Sequence, residues 1–436
     1  MNPLPSFIKA LWAPGSSFPG CNQFRMSNTL RAVVIGIAGI VLVSWGAADG
    51  LAQTESTSKA PYATIASRGA AYLGPGREAA YDLTGTTIPI GLLVPLGGPR
   101  KADGEAIVAA AKLAIADVAQ NPLPGGRRLV LKIGDESGPS WSGVSNALAR
   151  LVLEEQAVAL ITSANGATAH LSEQVGNRIG VAVLTLASDK TTTQIDLPWI
   201  FRLGPTDALE SQAFAETIYR QRGFQRILLV SENDHDGRRG VQEFLNATRA
   251  LGAPPPTSLV LDSSRADTDA FEDAIRAEAP EAIVLWTSAP RANNLIQAMR
   301  ATGRSLPVYF SQEAAQNSSG LSVSPDADSL KQKQEQAAFW TVAWASPAAT
   351  IQEDFARRYR QATGASPSAD AAEVYDAIQL VASALRDAGP NRARVRDQIA
   401  RTRNWPGVSG TISFDAEGNN DARVRLVRLQ QGTSEE

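Results

Sequence analysis

Residues 157–189 read AVALITSANGATAHLSEQVGNRIGVAVLTLASD, and their pattern decides the architecture of the chain. Residues 157–162 form a short apolar run of the kind a buried parallel strand needs. The run breaks at Ser163-Ala164-Asn165-Gly166, which is too small and polar to extend it. A helix is expected next, because Leu171, Val175 and Ile179 recur every four residues while His170, Glu173, Gln174 and Asn177 are left to face outward. A second apolar run, 181–186, closes the unit as the next parallel strand and ends at Ala187-Ser188-Asp189. In open α/β sheets ligands sit beyond the carboxyl ends of the strands, so the corners 163–168 and 187–190 are expected to line one site.

The same alternation extends in both directions. Upstream, an apolar strand at 87–95 leads through a loop into an alanine-rich helix at 104–120, a strand at 128–134 and a helix at 141–155. Downstream, a short strand and hinge at 198–205 precede a helix at 208–223 and strands at 226–230, 257–261, 282–286 and 307–311. Helices are expected between these strands at 239–251, 269–279 and 291–302. Residues 337–343 return to strand, two helices follow at 350–363 and 369–387, and the tail at 407–429 is β-rich. With 436 residues, 44% of them hydrophobic, the chain exceeds the roughly 250–300 residues at which a single core stops growing, so two α/β lobes are expected.

Composition narrows the function. A net charge of −3 argues against nucleic acid as the partner. One cysteine, Cys21, excludes an internal disulfide and any multi-cysteine metal site, and two histidines, His170 and His235, are too few and too far apart in the chain for a His-rich metal centre. No cofactor is expected: no strand–helix junction carries Gly-x-Gly-x-x-Gly, and the nucleophile elbow Gly-x-Ser-x-Gly is missing. Arg25 and Arg31 precede an apolar run at 32–43 followed by Gly46-Ala47-Ala48 and Gly50-Leu51-Ala52, the pattern of an export signal cleaved after Ala48 or Ala52. The alternative is an uncleaved anchor, although 32–48 falls short of the roughly 20 residues that span a bilayer. Met26 stands directly ahead of this signal, which fits an upstream start assignment for residues 1–25, and Cys21 lies on the wrong side of the apolar run for lipid attachment. Residues 53–86 lack periodicity and read as a flexible leader.

The succession IPIGLLVPLGGP, LITSANGATA, VLTLASD, WIFRLGPTD, RILLVSENDHDGRRG, YFSQEA, AAEVYDAIQLVASAL and WPGVSGTISFDAEGN resembles the type I periplasmic solute-binding proteins of the leucine/isoleucine/valine-binding family, over about 87–429. Its most distinctive pieces are Tyr375-Asp376-Ala377 and the tail from Gly407 to Asp415. The resemblance implies an α/β fold of two Rossmann-like lobes joined by a three-crossing hinge, lobe one at 87–204 plus 340–402 and lobe two at 205–339 plus 403–430. Hinges are expected near Gly204-Pro205, Phe339-Trp340 and Arg403-Asn404. It further implies a non-catalytic, monomeric periplasmic receptor that traps a small polar solute, an amino acid, an amide or a cationic analogue, for an ABC transporter permease. A sensor of the same fold is the alternative, and a dinucleotide-using α/β enzyme stands further off.

In amino-acid-binding members the solute carboxylate meets backbone N–H groups and a hydroxyl at a helix N-terminus. The resemblance places that segment at Asn165-Gly166-Ala167-Thr168. Gly166 stands where the hydroxyl is usual, so Thr168 or Ser163 must replace it. The next corner usually has a threonine; here it has Asp189, with Ser188 beside it. The Tyr-Gly corner of lobe two is replaced by Asp236-Gly237, and the acid that holds an ammonium is matched by Glu313. A carboxylate at 4 Å from a solute carboxylate costs about 4 kcal/mol at an effective dielectric of 20, so an acidic cleft is expected to prefer cationic or neutral polar solutes. Asp189, Asp236 and Glu313 either face the cleft or cap helices. Trp141 and Trp286 either stack on a planar ligand or belong to the core. His170 is expected on the surface and His235 in a solvated turn, with a cation shared among carboxylates as its other reading. Arg202 is expected to make an interlobe structural contact.

Overall fold

The computed structural model describes residues 76–77, 85–138, 141–193, 199–262, 266–316, 321–323, 338–344 and 349–431. The expected export signal and nearly all of the leader lie outside these residues. Among the described residues no helix is long and apolar enough to cross a membrane.

The first lobe is built on β1 (Thr87–Val94), α1 (Lys101–Gln120), β2 (Arg128–Asp135), α2 (Trp141–Ala149), β3 (Ala159–Thr162), α3 (Gly166–Ile179), β4 (Ala182–Thr185) and β5 (Ile200–Arg202). Its five strands run parallel in the order β2-β1-β3-β4-β5. β3 and β4 are buried along their whole length, which is why both read as unbroken apolar runs. The Asn165 side chain accepts from the Thr168 N–H, and Gly180 ends α3 in the left-handed region at φ 74°. α2 is continued by a wider turn at Arg150–Glu154, closed by Glu155 N–H donating to Arg150 O at 2.9 Å.

The second lobe contains α4 (Asp207–Ala215), β6 (Ile227–Glu232), α5 (His235–Ala250), β7 (Thr257–Leu261), α6 (Ala266–Glu278), β8 (Ala282–Trp286), α7 (Ala289–Ala301), β9 (Val308–Phe310), α8 (Gln312–Ala315), β10 (Leu321–Val323) and β11 (Phe339–Trp344). α9 (Ala349–Thr363), α10 (Ala369–Ala388) and α11 (Arg392–Ala400) return to the first lobe, where Phe355, Tyr359 and Ile378 join the core under α1. A two-stranded ribbon, β12 (Trp405–Pro406) and β13 (Thr411–Ile412), follows, and β14 (Val424–Gln431) completes the second sheet in the order β10-β14-β11-β9-β8-β6-β7.

Two of the expected crossings are corrected by strand pairing. Phe339 and Trp340 are paired with Val308 and Tyr309 of β9 and with Leu429 and Arg428 of β14, so 340–344 belong to lobe two and the second crossing follows Trp344. Arg403-Asn404 is no hinge either: Val408, Ile412 and Phe414 pack into the core of lobe one, which puts the third crossing between Asn420 and Val424. The first crossing does fall at Gly204-Pro205, between β5 and α4. The helix α11 and the strand β10 are additions to the expected elements, and α5 begins four residues earlier than its apolar periodicity predicts because Asp234 caps it, accepting from Gly237 N–H at 2.7 Å.

Candidate functional site

Four strand ends of two lobes converge on one enclosed space. Ser188 follows β4, Asp234 and Asp236 follow β6, Trp286 and Thr287 close β8, and Glu313 sits in α8 after β9; all six line a single cavity. Only about 10 Å³ of it is open to the centres of water molecules, room for about one water. A larger groove of about 390 Å³ is walled by α9, α10 and β12, all of lobe one, and has no wall from lobe two.

The cavity is acidic, and one of its carboxylates is paired with a cation from the other lobe. The Arg100 guanidinium, just ahead of α1, lies 3.1 Å from Glu313 Oε1 and so joins the two lobes. Arg100 carries no signal in the sequence, since it belongs to the loop after β1 and its partner comes from the other lobe. Burial pushes Asp236 up to about 6 and Glu136 up to about 7, with Arg100 drawing both down, and burial raises Glu313 well above the usual carboxylate range. Glu136 accepts from the Ser163 hydroxyl. Trp286 Nε1 and Thr287 Oγ1 are buried without a hydrogen-bond partner among the described residues. Buried polar groups are ordinarily paired, so these two keep unused hydrogen-bonding capacity at the cavity wall.

The N-terminus of α3 already carries a carboxylate. Both Asp236 oxygens lie 3.2 Å from Gly166 N, whose N–H donates across the interlobe boundary. The Thr168 N–H is engaged by Asn165 Oδ1 at 2.9 Å, so of the three expected anion-binding amides only that of Ala167 has no hydrogen bond assigned. The positive end of a helix favours an anion here, and the protein's own lobe two supplies it.

Asp189 is placed otherwise than expected. It is buried, does not line the cavity and is turned into a cluster between the lobes: Oδ2 lies 2.9 Å from His170 Nε2 and 2.6 Å from His235 Nε2. Oδ1 accepts from Thr191 N–H at 2.9 Å, the Thr191 hydroxyl at 2.7 Å and Arg239 Nε at 3.1 Å. Burial alone would raise its pKa, but the hydrogen bonds from His170, His235 and Thr191 hold it well below the ordinary value. Its charge is therefore matched, and it adds no net repulsion to the cavity. His170 is no free surface residue, for its ring nitrogens meet Asp189 and, at 3.3 Å, Glu173; these carboxylates push it up to about 9. His235 lies in the first turn of α5, not in a solvated turn, and although 65 residues separate the two histidines in the chain their ring centroids are 5.5 Å apart.

The remaining candidates separate. Trp286 is buried, packed on Gly240 and 6.4 Å from the Phe214 ring, yet it also walls the cavity. Trp141 is 62% exposed at the start of α2 and takes no part. Arg202 is fully buried and structural, but its contacts lie within lobe one and not between the lobes as expected: it donates to Asp189 O at 2.6 Å and to Asn419 Oδ1 at 3.2 Å.

The profile of the family described as "Periplasmic binding protein" matches residues 87–434. Comparison with curated proteins gives no match. Among solved structures the chain is similar to the branched-chain amino acid transporter substrate-binding protein LivJ from Streptococcus pneumoniae in complex with isoleucine, at 18% identity, covering 78% of this chain and 95% of that one with a TM-score of 0.66. It is similar to the leucine-binding protein LivK from Thermotoga maritima, at 20% identity, 80% and 100% coverage and a TM-score of 0.66. A solute-binding protein of an ABC transporter from Rhodopseudomonas palustris, in complex with 3,4-dihydroxybenzoic acid, aligns at 18% identity, 80% and 96% coverage and the same TM-score of 0.66. At these identities the likeness is one of fold.

Proposed function

The chain belongs to the periplasmic binding protein family, and from that premise we propose that it is the extracytoplasmic solute receptor of an ABC importer, acting as a monomer and handing a small polar solute to a permease. Its solute carries no free carboxylate and is either cationic or a neutral amide. The observation that carries this reading is the Asp236 carboxylate on the Gly166 N–H, the position at which an amino-acid receptor of this fold would take the solute's own carboxylate. Asp234, Asp236 and Glu313 face a guest, Arg100 pairs with Glu313 from outside the cavity lining, and the unpaired Trp286 Nε1 and Thr287 Oγ1 offer a donor and a hydroxyl to polar groups. The space between the lobes is too small for an amino acid as it stands, so binding requires the lobes to part and close again.

Calorimetry of the purified protein with leucine, a simple amide, a polyamine and a basic amino acid tests this, repeated with Asp236→Ala. The wild type should bind the amide or the polyamine and bind leucine weakly. Asp236→Ala, which vacates the α3 N-terminus, should strengthen leucine binding by about tenfold, equivalent to about 1.4 kcal/mol. Tight leucine binding by the wild type, unchanged by the substitution, would return the protein to the branched-chain amino acid receptors.

A further inference from the structure

The cluster around Asp189 has the composition and spacing of a metal site. A ring nitrogen of His170, a ring nitrogen of His235 and an Asp189 carboxylate oxygen all lie within 4.8 Å of one another. We propose that these three residues bind one divalent transition-metal cation of the zinc class and that this ion latches the two lobes together. Two imidazoles and a carboxylate are the borderline donors such ions prefer, and three protein ligands leave a fourth position for water.

The surroundings suit this role. The second nitrogen of His170, Nδ1, lies 3.3 Å from Oε2 of the buried Glu173, the carboxylate–imidazole arrangement that fixes a ligating ring and raises its basicity. Thr191 and Arg239 occupy Asp189 Oδ1, which leaves Oδ2 as the oxygen facing both rings. The Arg239 guanidinium opposes a second cation, but it stands on the Oδ1 side. The His170 and His235 side chains are 23% and 34% exposed, enough for an ion to enter and keep a water ligand. Donors about 2.0–2.1 Å from a tetrahedral ion stand about 3.3 Å apart. The present Oδ2-to-Nε2 distances of 2.9 and 2.6 Å must therefore widen, by about 0.4 and 0.7 Å, as the two Nε2 protons leave.

His170 and Asp189 belong to lobe one and His235 to lobe two, so the complete ligand set exists only when the lobes are closed. By mass action the ion then favours closure in proportion to its affinity for that form. This coupling is independent of which solute occupies the cavity.

The test uses the full chain, stripped with a chelator and titrated calorimetrically with zinc chloride, with magnesium chloride as a hard-cation control. One zinc per chain and no magnesium binding are expected, with His170→Gln and His235→Gln each weakening zinc binding by about 100-fold or more. Circular dichroism melting of the metal-free variants checks that they fold as the wild type does, and X-ray absorption of the zinc-loaded protein should show nitrogen and oxygen ligands including two imidazoles. Solution scattering should show zinc contracting the wild type and leaving His235→Gln unchanged. Equal zinc affinity in the wild type and both folded variants would overturn the proposal, and so would closure that follows pH through these residues without responding to zinc.

Discussion

A methyl group at Gly166 would stand 2.3 Å from Asp236 Oδ1 and 2.9 Å from His235 Cδ2, so the absence of a side chain there is what lets lobe two reach the α3 N-terminus. Alanine at a first helical position costs the helix nothing and favours it by up to about 1 kcal/mol. Gly166→Ala is therefore expected to leave the melting temperature unchanged or slightly higher while expanding the protein in solution scattering; an unchanged scattering curve would mean that Asp236 does not make this contact. A second residue, outside the cavity lining, offers a pH test. Glu210 is fully buried in α4 and accepts from Gln312 N–H at 3.0 Å; burial, with Asp207 adding to it, pushes its pKa up to about 8. Its folded value lies above that of the unfolded chain, so the folded state holds the proton more tightly, and stability falls as pH rises from near 5 through about 8. The slope from this one group is at most about 1.4 kcal/mol per pH unit. Urea midpoints at pH 6 and pH 9 should differ markedly in the wild type, and Glu210→Gln, which stays neutral, should flatten that difference; an equal pH dependence in both would show that the acid is not held protonated.

The tail and the last long helix explain each other. Asp376 of α10 accepts from Val408 N–H and Ser409 N–H, each at 2.8 Å, and from the Ser409 hydroxyl at 2.6 Å, so the returning chain is pinned to lobe one before it crosses to β14. A Cβ on Gly407 would stand 2.4 Å from Asp376 Oδ2 and 2.7 Å from the Gly410 carbonyl. Gly407→Ala should therefore cost about 1–3 kcal/mol of stability by chemical denaturation; a cost within about 0.5 kcal/mol would mean the loop relaxes freely. These two pieces were legible in the sequence as its most distinctive motifs, and the buried strands were legible because parallel strands covered on both faces must be apolar throughout. α11 was not, because RARVRDQIA spreads Ala393, Val395 and Ile399 among charges and leaves only a thin apolar stripe. That Ser188, Asp236, Trp286 and Glu313 meet at one cavity follows from their places at strand ends, which a sequence can show. Arg100 and the pairing of His170 with His235 could not, since each depends on a partner brought up by the opposite lobe and leaves no local pattern behind.

The four apolar clusters among the described residues divide cleanly between the sheets: two contain residues of lobe one alone and two of lobe two alone. Closure therefore buries no shared hydrophobic core among the described residues. What joins the lobes is polar: Lys190 Nζ to Glu243 Oε2 at 2.6 Å, Arg239 to Asp189 at 3.1 Å, Arg100 to Glu313 at 3.1 Å and Gln312 Nε2 to Glu373 Oε1 at 2.9 Å. Each sets a partly exposed donor against a carboxylate, and Asp189, Glu243 and Glu373 are buried, so what each contact adds is offset by the desolvation it requires and the closed form stays within reach of a ligand's differential affinity. Salt should then act as a lever on shape. The screening length falls from about 30 Å at 0.01 M to about 3 Å at 1 M, which weakens the partly exposed Lys190–Glu243 and Arg100–Glu313 pairs more than Arg239–Asp189, whose carboxylate is fully buried. The radius of gyration of the metal-free, solute-free protein is expected to rise across that range, and Lys190→Ala should be more open at low salt with a smaller further response. Its melting temperature should stay near that of the wild type, because neither core depends on the lobes touching. A radius of gyration that ignores salt in both proteins would show that the lobes are held by something other than these charges.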